Sequence, residues 1–491
     1  MADTVNSAQS GERDVSIYLA CRAVAAIVNV LSVALFTRLS SPDLYGQYLI
    51  GFSICFIVYS LTVQWAVYAH FGTFRQEAAD RFALSLVVIS ALALAPALLS
   101  IGALAGLGIL EGHIAWGSAV LALCLALHFA GTEVSRSHLK PGLVAIATIS
   151  RSVLSLLLGS ASLILFHEPA ALLVAVGLGY ALGAVPVYVH FARSLRQGGL
   201  RQPLGAEIAA MLRYGWPLAI AFGASAAAMN IDRILLEHHT DAATVAPYGA
   251  VMDLMKQTFL VLAEAISAGY VAHARIHMMR GETQAARAVL KRDFVSQAFV
   301  VVFGTVAFIL LGRLVFSVVL APAYLDMALD VLPALLVGNA LLVLRAHYFG
   351  QVIYLGASSL IELVASLVMI AAAAGAALLL IDAMGAHGAA LAFAIGQAAA
   401  LLVYVVGAPK ALRMPVDWLR GGLLLGVGGA ILAGGLEAQA LFGPAVGTVF
   451  CVFAIGVASL VLAMRWNIFN LSAMAQKLAS PLLGLLPKRG L

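Results

Sequence analysis

The feature that most constrains this chain is a series of fourteen apolar runs, each long enough to cross about 30 Å of hydrocarbon as a helix. The alternating apolar and polar positions typical of strands are almost absent, and an open sheet cannot cross lipid because its edge groups would lack hydrogen-bond partners. We therefore predict an all-α polytopic membrane protein with about fourteen transmembrane helices. The runs lie at residues 15–37, 44–69, 82–108, 114–133, 143–166, 170–192, 214–236, 245–271, 294–320, 328–354, 358–381, 387–407, 418–437 and 444–464.

The composition leaves little chain for a domain outside the membrane. Of 491 residues, 63% are apolar and only 10% are charged. The net charge of +5 is spread over short loops rather than along one stripe, which argues against a nucleic-acid-binding surface. All four cysteines fall inside apolar runs, so we expect neither a disulfide framework nor a metal site. No P-loop motif is present, and we expect no cofactor.

The basic residues predict the orientation of the helices. With the N-terminus in the cytoplasm, the segments that face inward hold twenty-one lysines and arginines, and the segments that face outward hold only Arg38 and Arg233. This bias supports an even number of helices, with both termini in the cytoplasm. The polar residues 1–14 precede a run that is too long for a signal-peptide core, so we expect the first helix to stay in place.

A short repeat suggests how the helices are grouped. Arg38 precedes Tyr45-Gly46, and Arg233 precedes Tyr248-Gly249, six helices later. An even number of intervening helices relates the two copies by an axis along the membrane normal, although coincidence of these short motifs is an alternative. We predict two six-helix lobes around a central cavity. The predicted divisions are an N-terminal tail 1–14, an N-lobe 15–193, a linker 194–213, a C-lobe 214–407, two further helices 408–464 and an amphipathic cytoplasmic tail 465–491.

Three segments carry a resemblance to a known family. These are Thr37 to Gly46, Arg213 to Leu218 followed by Asn230 to Arg233, and Ala321 to Tyr324 followed by 328–333. In this order along the chain they resemble the polysaccharide transporter family, the Wzx-type flippases of the multidrug/oligosaccharidyl-lipid/polysaccharide exporter superfamily. The resemblance implies alternating access in a bacterial inner membrane, with an undecaprenyl-diphosphate-linked oligosaccharide turned from the cytoplasmic to the periplasmic leaflet. It also associates the last two helices with the lipid tail.

Polar side chains inside the apolar runs are the candidates for substrate binding. A charge in mid-bilayer costs about 2.5–3.5 kcal/mol on insertion scales, so it is expected to face a wet cavity or a partner. A guanidinium remains charged and binds phosphate oxygens in a bidentate manner, which suits a diphosphate. For Arg22 the alternative is that it extends to the cytoplasmic headgroups; otherwise Arg22→Ala is expected to abolish glycan export. The predicted substrate-binding residues are Arg22, Asn29, Gln64, Arg151, Lys256 and Arg345.

The eighth apolar run is the most informative for ion coupling. Asp253, Lys256 and Glu264 share one helical face. We predict that Asp253, Glu264 and Glu362 change protonation or hold H⁺ or Na⁺ during the cycle. The resemblance favours this interpretation, because the family is thought to combine cationic lumens with ion coupling. The alternative is a structural ion pair between Asp253 and Lys256.

Two further expectations concern helix ends and helix contacts. Arg38 and Arg233, equivalent in the repeat, are candidates for an outer gate with a nearby aspartate; capping of helix ends is the alternative. The aspartates considered are Asp43, Asp232 and Asp241. Four glycines of the thirteenth run are predicted to lie at helix contacts, where small residues allow close approach. They are Gly422, Gly426, Gly429 and Gly434.

The leading hypothesis is therefore a flippase rather than an enzyme. Its partners would be a lipid-linked oligosaccharide, membrane lipid, H⁺ or Na⁺, and a polysaccharide polymerase or co-polymerase. A drug antiporter of the same superfamily is one rival, but it predicts a cavity dominated by carboxylates. A membrane enzyme of polysaccharide assembly would need acid and base residues on an extended outward loop, and a scaffold would not explain the buried charges.

Overall fold

The computed structural model describes the backbone of residues 2–198, 204–356, 360–466 and 468, and the side chains of these residues apart from 2–19, 76 and 193–198. The predicted cytoplasmic tail 465–491 therefore lies mostly outside the described residues. Within them, the regular elements are helices and no strand occurs. The all-α prediction is confirmed.

The helices coincide with the predicted apolar runs. Short 3₁₀ turns at Gln76–Ala78 and Lys410–Leu412 lie between them. The spans are α1 Ala2–Leu39, α2 Pro42–Thr73, α3 Ala79–Gly106, α4 Gly112–Ser137, α5 Pro141–Leu165, α6 Pro169–Gly198, α7 Gly205–Ala228 with Ile231–His239, α8 Ala242–Met279, α9 Thr283–Val319, α10 Pro322–Leu355, α11 Leu360–Met384, α12 Ala386–Gly407 and a final helical segment Trp418–Arg465.

The final helical segment is a hairpin of two helices. Gly443 has φ 78°, a left-handed conformation that glycine adopts without strain, and Pro444 follows it. Two glycines pack across the turn: the Sγ of Cys451 lies 3.6 Å from the carbonyl oxygen of Gly435, and a Cβ on Gly447 would lie 2.5 Å from the Cα of Gln439. In each contact the two residues lie equally far along the chain from Gly443, eight residues for Gly435 and Cys451 and four for Gln439 and Gly447. Helices α13 (418–442) and α14 (444–465) therefore run antiparallel.

The number of spans follows from this hairpin. Twelve helices in the described chain are long and apolar enough to cross a membrane, and the two helices of α7 make a thirteenth span. Since the last of the twelve is itself the pair α13 and α14, the total is fourteen, as the apolar runs predict. The chain is a multi-pass membrane protein.

Helices α2, α7 and α8 contain a bend or a π-helical segment. The two parts of α7 meet at an angle of 45° beside Asn230, whose side-chain amide donates to the carbonyl of Ala226 at 2.8 Å. Both α2 and α8, which are equivalent in the sequence repeat, contain a π-helical segment, at Ser60–Gln64 and Lys256–Leu260. A π-helical turn inserts an extra residue and is often found at functional sites.

The described residues form two compact units. Unit 1 comprises 1–261, 316–339 and 359–403, and unit 2 comprises 262–315, 340–358 and 404–491. In unit 1, α2 and α8 approach closely at the Tyr-Gly pairs of the repeat. A Cβ on Gly46 would lie 1.8 Å from the carbonyl oxygen of Ala242, and a Cβ on Gly249 would lie 2.6 Å from Leu49. The repeated glycines therefore permit this helix crossing.

In unit 2, α13 packs along α9 through small residues. Added Cβ atoms on Gly421, Gly428 and Gly435 would meet Phe294, Val302 and Leu310, respectively, at 2.4–3.2 Å. Positions seven apart lie on one helical stripe, which accounts for this spacing. The four glycines of α13 that were predicted to lie at helix contacts do not lie there, because a Cβ added to any of them would meet no atom within 4 Å. That prediction was wrong for Gly422, Gly426, Gly429 and Gly434.

Candidate functional site

Two cavities with both polar and apolar wall residues lie within unit 1. The larger, of about 340 Å³, is lined by residues of α2, α7 and α8 that include Gln64, Arg233 and Lys256. The smaller, of about 210 Å³, is lined by α1, α2, α5, α6 and α8. Phe52 and Asp253 line both cavities, so these two side chains form the wall between them.

An ion pair stands at this wall. The guanidinium of Arg233 donates to Oδ1 of Asp253 at 2.5 Å and to the carbonyl of Gly249 at 3.3 Å. Arg233 is only 3% exposed, whereas Asp253 is 29% exposed because it borders the cavities. Asp253 thus pairs with an arginine twenty residues away. The sequence had suggested Lys256, one helical turn along α8, as its partner.

The π-helical segment of α8 serves both cavities. Lys256 opens the segment and lines the larger cavity, whereas the next residue, Gln257, lines the smaller one. Oε1 of Gln257 accepts a hydrogen bond from the side-chain amide of Asn29 at 3.4 Å. This contact joins α1 to α8 at the smaller cavity and places two predicted site residues, Asn29 and Lys256, around the same segment.

Arg151 is held at the smaller cavity by α6. Its guanidinium donates to the hydroxyl of Tyr180 at 2.7 Å and to the hydroxyl of Ser152 at 3.1 Å, and it lies 4.6 Å above the Tyr180 ring. A cation over an aromatic face gains electrostatic attraction. Helix α6 comes close enough because Gly183 faces the Arg151 backbone, where a Cβ would be 2.7 Å from its nitrogen.

The cavity walls carry an excess of positive charge. Three basic side chains, Arg151, Arg233 and Lys256, line the cavities, and Asp253 is the acidic one. Since Arg233 pairs with Asp253, Arg151 and Lys256 provide the excess among the lining residues, while the buried Asp232 beside Arg233 accepts a hydrogen bond from Tyr248. Such a surface suits an anionic ligand, because charge-assisted hydrogen bonds are strong where solvent is restricted.

The other predicted site residues lie elsewhere. Arg22 and Arg38 are exposed on α1, and Arg38 donates to the carbonyls of Val318 and Val319 at the end of α9, at 2.5 and 3.4 Å. Glu362 on α11 accepts from Ser366 at 3.5 Å and does not line either cavity. Unit 2 contains Arg345, which is buried, and Glu264, which is exposed.

Several cavity residues had not been predicted from the sequence. Phe52, Phe56 and Phe222 contribute aromatic surface, and Tyr180 orients Arg151. Aromatic residues within an apolar run look like ordinary core or lipid-facing positions, so the sequence gives no signal for them. The sequence singles out Asn230 only as part of the family motif. Its position at the break of α7 is visible only in the structure.

Comparisons with known proteins establish the fold. No protein-family model and no curated protein sequence matches the chain. Among solved structures it is similar to the lipid II flippase MurJ in an inward closed conformation, with a TM-score of 0.70, 11% identity, and coverage of 92% of this chain and 98% of that chain. It is also similar to an inward-facing MATE family multidrug resistance transporter of the MOP superfamily, with a TM-score of 0.51, 16% identity and 85% and 96% coverage.

A third solved structure supports the same assignment. A MOP superfamily transporter from Pyrococcus furiosus is 15% identical, with a TM-score of 0.54 and coverage of 85% of this chain and 96% of that chain. At these identities the likeness concerns the fold. The chain has the fold of the MOP superfamily transporters.

Proposed function

We propose that this protein is a flippase for an undecaprenyl-diphosphate-linked oligosaccharide repeat unit. It would move this unit from the cytoplasmic to the periplasmic leaflet of a bacterial inner membrane by ion-coupled alternating access, for export of exopolysaccharide or O-antigen. The observation that carries the proposal is the cationic excess of the two cavities, provided by Arg151 and Lys256. A diphosphate needs cationic partners, and the amides that line the same cavities suit sugar hydroxyls.

The predicted residues take specific roles in this proposal. Lys256 and Arg151 bind the diphosphate, and Asn29 and Gln64 contact the sugars. Asp253 changes its charge during the cycle only by releasing Arg233, which makes this pair the candidate that links ion binding to the substrate. Roles for the remaining predicted residues stay predictions: substrate contact for Arg22 and Arg345, ion coupling for Glu264 and Glu362, and an outer gate for Arg38.

The structural likeness to lipid II flippase MurJ supports a lipid-linked substrate, and the likeness to MATE transporters supports a drug antiporter as the second candidate. The charge of the cavities favours the first, because a cavity for cationic drugs would carry an excess of carboxylates. The proposed rocking of the lobes 15–193 and 214–407 belongs to either candidate.

The test is deletion of the gene in its native host, followed by complementation with charge variants. Lys256→Gln and Arg151→Gln remove a positive charge from a cavity wall, and Lys291→Gln removes one from an exposed position on α9 outside both cavities. We expect loss of surface polysaccharide with the two cavity variants and normal export with Lys291→Gln. Complete repeat units should accumulate on the cytoplasmic leaflet.

Two outcomes would contradict the flippase. Repeat units that reach the periplasmic leaflet but fail to polymerise would indicate an enzyme or scaffold. Unchanged surface glycan together with increased sensitivity to cationic drugs would indicate the antiporter.

A further inference from the structure

A fully buried carboxylate lies in unit 2 and lines neither cavity. Asp293 and Gln297 occupy successive turns of α9, and both are 0% exposed. Nε2 of Gln297 donates to the carbonyl of Ala263 in α8 at 2.9 Å and to Oδ1 of Asp293 at 3.2 Å. Among the residues that the structure describes, Oδ2 of Asp293 and Oε1 of Gln297 have no hydrogen-bond partner.

The donors and acceptors of this pair can be counted. The amide group of Gln297 has two N–H hydrogens, and the contacts with Ala263 and Asp293 use both. The two atoms left over are oxygens, and if Asp293 is ionised both are acceptors only. A buried unpaired acceptor costs about 1–3 kcal/mol, and a buried ionised carboxylate without a cation costs more.

One proton satisfies both atoms. We propose that Asp293 and Gln297 form a proton-binding site, in which the carboxyl group carries a proton on Oδ2 and donates it to Oε1 of Gln297. The pair then has two antiparallel hydrogen bonds, N–H to Oδ1 and O–H to Oε1, like an acid–amide dimer. No additional ligand is required, and each polar atom of the two side chains has a partner.

The Asp293 carboxyl group has no ion-pair partner among the described residues. Phe294 stacks edge-on against the ring of Tyr348 at 5.2 Å, and the Tyr348 hydroxyl donates to the carbonyl of Pro415. Titratable or charged side chains on the elements around the pair include Glu264 and Tyr270 on α8, Lys291 and Arg292 on α9, and Arg345 and Tyr348 on α10.

The start of α13 closes the remaining side. Gly421 faces Phe294, so that a Cβ there would lie 3.2 Å from the ring, and Arg420 beside it pairs with Asp417 at 3.8 Å. Lys291 and Arg292 are exposed on α9. The Asp293 carboxyl group is thus fully buried without an ion-pair partner, which favours its neutral form.

Loss of the proton would act on the packing of α8 against α9. Two oxygens would then face each other without a hydrogen between them, so Gln297 would have to rotate away from Ala263 or the contact would have to open to water. Ala263 follows Lys256 by seven residues along α8. That this proton drives substrate movement rests on the proposed function, but the binding of the proton does not.

The direct test is infrared spectroscopy of the full-length protein in lipid nanodiscs near neutral pH. The difference spectrum between wild type and Asp293→Asn should contain the C=O stretch of one protonated carboxyl group, shifted in D₂O. Asp253→Asn is the matched control, and its difference spectrum should contain carboxylate bands instead. Carboxylate bands in the Asp293→Asn difference, or a carboxyl band that appears only when Na⁺ is removed, would overturn the proton site.

Thermal unfolding as a function of pH provides a second measurement. Asparagine reproduces the protonated form, because its amide donates to Gln297 Oε1 and accepts from Nε2. Burial favours the neutral acid in the folded state, so this stabilisation is present at low pH and is lost as pH rises. The Tm of wild type should therefore fall below that of Asp293→Asn progressively with rising pH, and a constant difference would contradict the proposal.

Neither measurement uses a glycan. A protein with the carboxyl band that fails to support surface polysaccharide in the complementation assay would keep the proton site and overturn the proposed function. A protein that exports glycan without the band would do the reverse.

Discussion

Asp253 and Asp293 are both carboxylates within apolar helices, but the two units of the protein stabilise them in opposite ways. Asp253 in unit 1 borders two cavities and accepts from the guanidinium of Arg233 at 2.5 Å. Asp293 in unit 2 is completely buried, and within the described residues its side chain bonds to an amide. The partner therefore determines the protonation state: a guanidinium keeps a carboxylate charged, whereas an amide with a free oxygen favours the acid.

The two arrangements also differ in what they can do. An ion pair at a cavity wall orients charge for a ligand, and it changes only when one member is released. A neutral acid–amide pair can lose one proton without any bound ligand, and its neighbours then have to rearrange. In the proposed function unit 1 binds the anionic substrate, and unit 2 contains the group that we propose exchanges a proton.

The largest effect is expected from breaking the ion pair. Arg233→Met leaves Asp253 without its cation, and removal of one member of a buried pair costs about 3 kcal/mol or more. Unfolding of the purified full-length protein in mixed micelles should show this loss. The double variant Arg233→Met with Asp253→Asn should recover part of it, since Asp253 is then no longer left as an unpaired charge. A double variant as unstable as the sum of both single variants would show that the two residues do not interact.

A smaller effect is expected when each carboxylate is replaced by its amide. Asp253→Asn should lower the free energy of unfolding by about 2 kcal/mol, because the bond to Arg233 loses its charge. Asp293→Asn should not lower it and should raise it increasingly as pH rises to neutral, because the amide reproduces the protonated acid without taking up a proton on folding. The same denaturation assay compares the two variants. An equal loss in both would remove the contrast between the units.

The amide partner of Asp293 can be tested by Gln297→Leu. This change removes the bond to the Ala263 carbonyl and leaves the Asp293 carboxyl group without a partner, at a cost of about 1–3 kcal/mol. Gln351→Leu on α10 is a matched control, because the amide of Gln351 bonds to the nearby carbonyl of Ala346 within its own helix. The loss in Gln297→Leu should exceed that in the control. Equal stability of the two variants would indicate that the acid–amide pair contributes nothing.

The sequence predicts one side of this contrast better than the other. The number of spans and the polar residues of α8 follow from long apolar runs that contain rare charges, so Asp253 and Lys256 are visible as candidates. The partner of Asp253 is not visible, because Arg233 lies twenty residues away at a predicted outer loop and comes inward only through the break of α7 beside Asn230.

Asp293 was missed for a different reason. It falls one residue before the ninth apolar run, next to Lys291 and Arg292, so it looks like part of a solvated loop. In the structure α9 begins at Thr283, ten residues before Asp293, and Asp293 lies on the buried face of this helix. The glycines of α13 show the same limit: the sequence indicates that the helix has small faces, but only the structure identifies Gly421, Gly428 and Gly435 as those that contact α9.

The smallest effect is expected from Tyr348→Phe. This variant tests whether the protonation of Asp293 depends on Tyr348, whose ring contacts Phe294. The variant removes one hydrogen bond to the Pro415 carbonyl and keeps the ring contact with Phe294, so it should cost about 1 kcal/mol in the unfolding assay. The protonated carboxyl band of Asp293 should remain, because the hydroxyl of Tyr348 is bonded to Pro415 and not to Oδ2. Disappearance of that band would mean that Tyr348, rather than Gln297, maintains the neutral acid, and the contrast with Asp253 would then rest on a phenol instead of an amide.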